Sequence, residues 1–247
     1  MELPAIVQAH TLDLVLVQEP YVPQDVTAVP GPLVLQAGVN SKAAIYLGRR
    51  DIACPIQLYL CTSHCMVVHV CLSPGSSSFY AVSSYFQYSQ DIGPHLHHLR
   101  RVLEALRGAR VVIGVNSNAH SPVWYSHPRH TYIGRGSVVT ERREQMESFI
   151  VGRGLRIANT EGQTPTFATA NGESHIDVTL TTGGVKLEDW QVKLNASTSD
   201  HRLIVYLTQL QRLTGTAVPD AGRSELLASF VSVVWIGNAF KQRFTIG

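Results

Sequence analysis

The stretch that most constrains the fold is a near-continuous apolar run, LDLVLVQ, at residues 12–18. This is the length of a strand, and an unbroken apolar run is typical of a strand that is buried on both faces. Other segments rich in β-branched and aromatic residues predict further strands. They are residues 43–47, 66–72, 79–86, 111–115, 164–169, 175–181, 190–194 and 203–208.

Two segments between these strands have the apolar spacing of helices. The first has apolar residues at helical intervals over residues 96–106, followed by Gly108 as a stop signal. The second is predicted from a cap at Thr140 to Gly152. Strands that alternate with helices predict an α/β domain, and 247 residues are enough for one with a substantial core.

The last part of the chain differs from the rest. Residues 214–223, TGTAVPDAGR, predict a linker, and residues 224–240 are an apolar, helix-like segment. We therefore divide the chain into a domain at residues 1–210 and a linker with an apolar segment at residues 211–247. The apolar stretch at residues 226–236 is too short to cross a bilayer. It is either a packing helix or a sequence foreign to the domain.

Composition excludes several classes of protein. The chain has no run of about 18 apolar residues, and its start lacks the regions of a signal peptide, so we expect no membrane partner and no secretion. A net charge of +2 permits a nucleic-acid partner without requiring one. Four cysteines at positions 54, 61, 65 and 71 lack the C-x2-C spacing of zinc sites, which favours buried thiols in a reducing compartment.

Polar residues lie at or just beyond the ends of several predicted strands, where open α/β sheets place their ligands. Taken singly, each has a plainer explanation as a turn residue, a helix cap or a core aromatic. Their order and spacing make the set informative. The set comprises Glu19, Tyr85, Asn116, Asn118, Asp177, Asp200 and His201.

Such a set contains what phosphodiester hydrolysis requires. The reaction needs charge neutralised on the phosphate, a deprotonated water and a stabilised leaving oxygen. A hard carboxylate such as Glu19 suits Mg²⁺, which keeps most of its waters and binds few protein ligands. A His–Asp couple supplies a base or a cation that faces the phosphate.

Four longer blocks carry a family resemblance: SSYFQYS, NAHSPVWYS, PTFATANGESHIDVTL and STSDHRLIV. Together with the neighbourhood of residues 135–142, they resemble the endonuclease domain of non-LTR retrotransposons, and most of all the clade that inserts into insect ribosomal RNA genes. The resemblance covers residues 2–207. It implies the four-layer α/β sandwich of the endonuclease/exonuclease/phosphatase superfamily, which includes the abasic-site endonucleases.

The resemblance also implies a role for each matching residue. Glu19 would hold Mg²⁺ or Mn²⁺, and Asp200 would help to position the metal or its waters. Tyr85 and Asn118 would face the scissile phosphate. The remaining pair would act together, with Asp177 orienting His201, which contacts the phosphate or relays the proton.

The chain departs from the family pattern in two places. Asn116 stands where the family has an aspartate that deprotonates the attacking water, and an amide cannot accept that proton. In addition, Met1 falls within the expected first helix, so we expect the first strand and its asparagine to be missing and a neighbouring strand to have an unpaired edge.

The implied partner is double-stranded DNA in the nucleus, with no small-molecule cofactor. A reverse transcriptase is expected in the parent element, but this sequence contains none. The densest basic stretch either contacts DNA phosphates or is a solvated helix start. Its residues are Arg129, His130, Arg135, Arg142 and Arg143.

Three hypotheses about function remain open. The first is a metal-dependent endonuclease that nicks one strand of target DNA and is impaired by Asn116 and the missing strand. The second is a catalytically silent DNA-binding remnant of a mobile element. The third is another enzyme of the superfamily, either an abasic-site repair nuclease or a phosphoesterase; the NAHSPVW block disfavours it.

Overall fold

The computed structural model describes residues 3–20, 34–36, 38, 40–49, 51–71, 78–127, 136–170, 172–210 and 231–237. Its helices are α1 (Leu3–His10), α2 (Gly93–Ala105) and α3 (Gly136–Gly152). Its strands are β1 (Leu14–Gln18), β2 (Val34–Gln36), β3 (Ala43–Leu47), β4 (Cys65–Cys71), β5 (Ser78–Tyr85), β6 (Val111–Asn116), β7 (Arg156–Ile157), β8 (Phe167–Thr169), β9 (Gly172–Ser174), β10 (Asp177–Thr181), β11 (Val185–Lys193), β12 (Leu203–Leu210) and β13 (Val231–Gly237).

The strands form two mixed sheets and one hairpin. The six-stranded sheet has the order β11-β12-β13-β1-β3-β2, and the five-stranded sheet has the order β4-β5-β6-β10-β7. Strands β8 and β9 form the separate hairpin.

Strand β1 shows how the layers are arranged. Side chains alternate between the two faces of a strand, and Leu14 and Leu16 pack into the core between the sheets while Val15 and Val17 pack against α1. Helices α2 and α3 cover the outer face of the five-stranded sheet. The order is therefore helix, sheet, sheet, helix. This four-layer α/β sandwich is the predicted fold class, and β1 is buried on both faces as its apolar sequence indicates.

The prediction of a helix-like segment at residues 224–240 is wrong for residues 231–237. These residues are β13, which pairs in parallel with β1 from Leu14↔Val233 to Gln18↔Gly237 and antiparallel with β12. The sequence VSVVWIG is rich in β-branched residues, and two neighbouring strand edges supply backbone partners that a local pattern cannot reveal. The predicted linker at residues 214–223 lies outside the described residues.

The place of β13 also corrects the expected unpaired edge. Strand β1 has β13 on one side and β3 on the other, so both of its edges are paired. A shorter difference concerns α3, which begins at Gly136 rather than after Thr140.

The cysteines are free thiols. Burial raises the pKa of both Cys54 and Cys65 to about 12, so these thiols stay protonated at neutral pH. Across the described residues there is no cluster of three or more His, Cys, Asp and Glu side chains arranged to hold a metal. In the same part of the chain, no helix is long and apolar enough to span a bilayer.

Candidate active site

Three of the predicted residues form a row across the five-stranded sheet. Tyr85 ends β5, Asn116 ends β6 and Asp177 begins β10. The parallel register pairs Tyr85 with Asn116, and the antiparallel register pairs Asn116 with Asp177. Strand register therefore brings together side chains that are up to 92 positions apart in the sequence.

Glu19 approaches this row from the other sheet. It follows β1 with a φ of 49°, its N–H donates to the Lys42 carbonyl at 2.8 Å, and its Oε1 lies 3.8 Å from Lys42 Nζ. Burial raises the pKa of Tyr85, and the Glu19 carboxylate raises it further through its charge and a hydrogen bond. Tyr85 is therefore protonated at neutral pH and can donate a hydrogen bond in the site.

Asp177 and His201 form a buried couple. His201 Nδ1 lies 2.9 Å from Asp177 Oδ2, and the residues are 5% and 1% exposed. Burial raises the pKa of Asp177, while the interactions with His201 oppose that rise. Asn159 fixes the strand here, because its Nδ2 donates to the Asp177 carbonyl and its Oδ1 accepts from the Thr179 N–H, both at 2.9 Å.

The Asn116 and Asn118 side chains are tied into the loop after β6. The Asn118 N–H donates to Asn116 Oδ1 at 3.2 Å, and Asn118 adopts a φ of 48°, which asparagine tolerates better than most residues. Asn118 Nδ2 donates to the Phe86 carbonyl at 2.9 Å. Asn116 is 2% exposed, so its side chain both shapes the turn and closes the floor of the site.

A cavity of about 350 Å³ lies over these residues. Six of the seven predicted residues line it, namely Glu19, Tyr85, Asn116, Asn118, Asp200 and His201. Asp177 is not part of the lining but contacts His201, which is.

Tyr88 and His120 are among the further residues that line the cavity and that the sequence interpretation did not select. Tyr88 is 52% exposed at its edge. His120 lies deeper, its Nδ1 is 3.1 Å from Ser126 Oγ, and burial lowers its pKa, so it is neutral at pH 7. Tyr88 belongs to the SSYFQYS block and His120 to the NAHSPVWYS block, so these blocks were the sequence signal that could have identified both residues.

Of the predicted basic stretch, the structure describes Arg142 and Arg143, which differ in burial. Arg142 is only 8% exposed and its guanidinium donates to backbone carbonyls, an arrangement that does not favour the predicted contact with DNA. Arg143 is half-buried and lies 3.7 Å from Glu144 and 3.8 Å from Glu147. Arg129, His130 and Arg135 lie outside the described residues.

The donor set suits a hard, water-rich cation. Glu19 and Asp200 offer carboxylate oxygens to the cavity, and the two asparagines add amide groups. Mg²⁺ is commonly bound through one or two carboxylates while it keeps several waters. The residues therefore fit Mg²⁺ or Mn²⁺ held mainly by water.

Known proteins resemble this chain in both sequence and fold. Residues 79–205 match the family described as Endonuclease-reverse transcriptase. The chain is 30% identical over 154 residues to the Retrovirus-related Pol polyprotein from type-1 retrotransposable element R1 of Bradysia coprophila. That match covers 62% of this chain and 15% of the polyprotein, so the chain spans a small part of this relative.

Two solved structures extend the comparison. The endonuclease domain of TRAS1, a telomere-specific non-LTR retrotransposon, superposes with a TM-score of 0.69 at 27% identity, covering 83% of this chain and 89% of that one. The AP endonuclease LMAP from Leishmania major has a TM-score of 0.64 at 12% identity, covering 81% of this chain and 79% of its own. The second likeness shows the fold alone.

The matched segment spans more than half of the chain and contains Tyr85, Asn116, Asn118, Asp177 and His201. It supports a nuclease-type function at this cavity. The chain belongs to the endonuclease–reverse transcriptase family, as a retrotransposon-type endonuclease of the endonuclease/exonuclease/phosphatase superfamily.

Proposed function

We propose that this chain is a divalent-metal-dependent DNA endonuclease that nicks one strand of retrotransposon target DNA, leaves a 3′-hydroxyl and is slowed by Asn116. The observation that carries the proposal is the cavity itself. Two sheets deliver a carboxylate, a protonated phenol, an amide and a buried His–Asp couple to one site. The proposed substrate is double-stranded DNA, and the proposed location is the nucleus.

Glu19 and Asp200 would hold Mg²⁺ or Mn²⁺ through hard oxygen atoms. The bound ion would supply neutralising charge to the phosphate and to the leaving oxygen. Lys42, 3.8 Å from Glu19, partly balances the carboxylate charge before a cation binds. Removal of the Glu19 carboxylate therefore removes the main protein ligand.

Tyr85 and Asn118 orient the phosphate. The raised pKa of Tyr85 keeps its hydroxyl protonated, so it can donate to a phosphate oxygen without giving up its proton. Asn118 is held by its bond to the Phe86 carbonyl, which limits the motion of its amide. Groups fixed before substrate binds cost little reorganisation during the reaction.

Asp177 fixes the tautomer of His201. Its Oδ2 accepts from Nδ1 at 2.9 Å, which leaves Nε2 to contact the phosphate or to relay a proton. A buried carboxylate in this position also stabilises the imidazolium when it forms.

Asn116 limits the rate. A neutral amide cannot accept the proton of the attacking water, and a general base is typically worth about 10²–10⁴ in rate. This residue also favours the second candidate function, a DNA-binding remnant that keeps the fold and has lost the chemistry. An abasic-site nuclease or phosphoesterase activity is a separate outcome, measured on an abasic duplex and on a phosphate monoester.

The test is nicking of supercoiled plasmid by the parent chain, Asn116→Asp and His201→Ala, in Mg²⁺ and in EDTA. We expect weak Mg²⁺-dependent nicking by the parent, faster nicking by Asn116→Asp and none by His201→Ala. If only Asn116→Asp nicks, the parent is the remnant. If folded Asn116→Asp binds DNA but does not nick, the endonuclease proposal is wrong.

A further inference from the structure

The guanidinium of Arg142 lies within the protein and has an unusual set of partners. Arg142 is on α3 and is only 8% exposed. Its Nε donates to the Ser117 carbonyl at 3.0 Å and its Nη1 to the Gln90 carbonyl at 2.9 Å. Its Nη2 donates to the carbonyls of Phe86 at 3.0 Å and Gln87 at 3.3 Å.

These carbonyls belong to two loops that carry the candidate site. Residues 86–90 follow Tyr85 at the end of β5, and residues 117–118 follow Asn116 at the end of β6. The Phe86 carbonyl accepts from both Arg142 Nη2 and Asn118 Nδ2. One side chain from a helix therefore joins both loops and shares an acceptor with a residue that lines the cavity.

An apolar side chain would be sufficient at position 142 if it only filled space, because burying a charged group costs free energy. Burial lowers the pKa of Arg142, which reflects the cost of removing its charge from water. Within the described residues no carboxylate forms a direct ion pair with it, and the compensation comes from carbonyl dipoles together with the charge of Asp91. Only the planar fork of arginine can donate to several carbonyls at fixed angles.

We propose that Arg142 is a positioning residue of the nicking reaction, which holds the loops at residues 86–90 and 117–118 in the arrangement that the Tyr85 and Asn118 side chains require. The expected effect on the nicking rate rests on the proposed function. The expected ordering of the two loops rests on the hydrogen bonds alone. The charge of Arg142 also acts on Tyr85, whose pKa it lowers against the larger effect of burial.

The experiment compares Arg142→Lys with Arg153→Lys in both the parent and the Asn116→Asp backgrounds. Lysine keeps the charge but cannot make the forked contacts. We expect Arg142→Lys to lower kcat for plasmid nicking by roughly 10–100-fold with KM changed by less than about threefold, because a small misplacement of reacting groups can cost about 10² in rate. Arg153→Lys serves as the control, since it keeps a surface ion pair with Glu104 and should nick as its background does.

A second readout does not require activity. The Asn118 side-chain amide signal in ¹⁵N NMR reports its hydrogen bond to the Phe86 carbonyl. We expect it to shift in Arg142→Lys, while signals from β11 and β12 stay in place. Unchanged Asn118 signals would overturn the proposal, and so would shifted signals with an unchanged kcat. If no background nicks, the proposed function fails, and the NMR result alone decides whether Arg142 orders the loops.

A third variant covers failure to fold. If Arg142→Lys shows the collapsed spectrum of an unfolded chain, Arg142→Ala is titrated with millimolar methylguanidinium, which is well below denaturing concentrations. Return of the Asn118 signal, and of nicking where the background nicks, supports the proposal. If the NMR signal of methylguanidinium shows that it binds and the Asn118 signal still does not return, the proposal is wrong.

Discussion

The substitution Asn116→Asp introduces a carboxylate at a buried position between Tyr85 and Asp177. The β6–β10 register pairs position 116 directly with Asp177, and both residues are almost fully buried. The variant would therefore hold two carboxylates on adjacent strands. It gains a group that can accept the proton of water, and it gains a like-charge contact.

The electrostatic cost of this second carboxylate can be estimated from the register of β6 and β10. Directly paired residues on antiparallel strands have Cα atoms about 4.5–5.5 Å apart. Two unit charges at about 5.5 Å and an effective dielectric constant near 20 repel by about 3 kcal/mol. For a chain of this size that corresponds to a loss of about 6–12 °C in Tm. The expected gain in nicking rate is about 10²–10⁴.

The stability loss should depend on pH and on metal. Repulsion raises the folded-state pKa of the introduced carboxyl above its unfolded value. The loss is therefore largest above that raised pKa, is smaller at pH 4.5 than at pH 8, and disappears only below the ordinary pKa of aspartate, about 4. Binding of Mg²⁺ to the folded state should recover about 2.7 kcal/mol at a concentration of about 100 Kd.

We would measure the Tm of the parent chain and of Asn116→Asp by calorimetry at pH 8 and pH 4.5, with Mg²⁺ and with EDTA. Plasmid nicking measures the reaction rate of each protein. Asn195→Asp is the control, because it adds the same charge to an exposed turn outside the paired row. A stable Asn116→Asp protein with no loss of Tm at pH 8 would refute the electrostatic reasoning. A destabilised but folded variant that nicks no faster than the parent would refute the role of position 116 as the base.

Three further predictions follow from other parts of the structure. Glu19→Gln should abolish the Mg²⁺-induced rise in Tm and lower the nicking rate by roughly 10²-fold. Such a loss is expected because a bound metal ion supplies several kcal/mol of charge stabilisation. Glu161→Gln, on an exposed turn, should change neither quantity. Burial and the positive charges of His64 and Arg142 lower the pKa of His95 from 6.5 to about 4, so folded-state stability should fall as pH drops through that range. His95→Phe should flatten this acid limb in thermal melts, and the exposed His97→Phe should not. A chain ended at residue 210 lacks β13 and should lose cooperative unfolding by circular dichroism, whereas one ended at residue 237 should keep it.

Local patterns in the sequence were enough to predict most of the central elements. The apolar run of β1, the strand segments around β4, β5 and β6, and the helical spacing of α2 are properties of short windows. Those windows also place the polar residues at the ends of strands or next to them. The family-specific blocks then connect these residues into one expected site, which the cavity at Glu19 and His201 matches in composition.

Two features could not be read from short windows. Residues 231–237 look equally suited to a buried helix or a strand, and only the edges of β1 and β12 select the strand. Arg142 has the sequence context of an exposed, basic helix start, yet four carbonyls from distant loops enclose its guanidinium. Secondary structure and burial depend in both cases on partners far away in the chain.

The sequence by itself determined which chemical groups are available: a carboxylate at Glu19, a His–Asp pair, and a neutral amide at position 116 where a base is expected. The tertiary structure decided which of these groups meet. Register aligns Tyr85, Asn116 and Asp177, and the packing of two sheets brings Glu19 to them. The physical reason is that side-chain identity is local, whereas register, burial and electrostatic coupling are set by contacts between strands that the chain brings together only on folding.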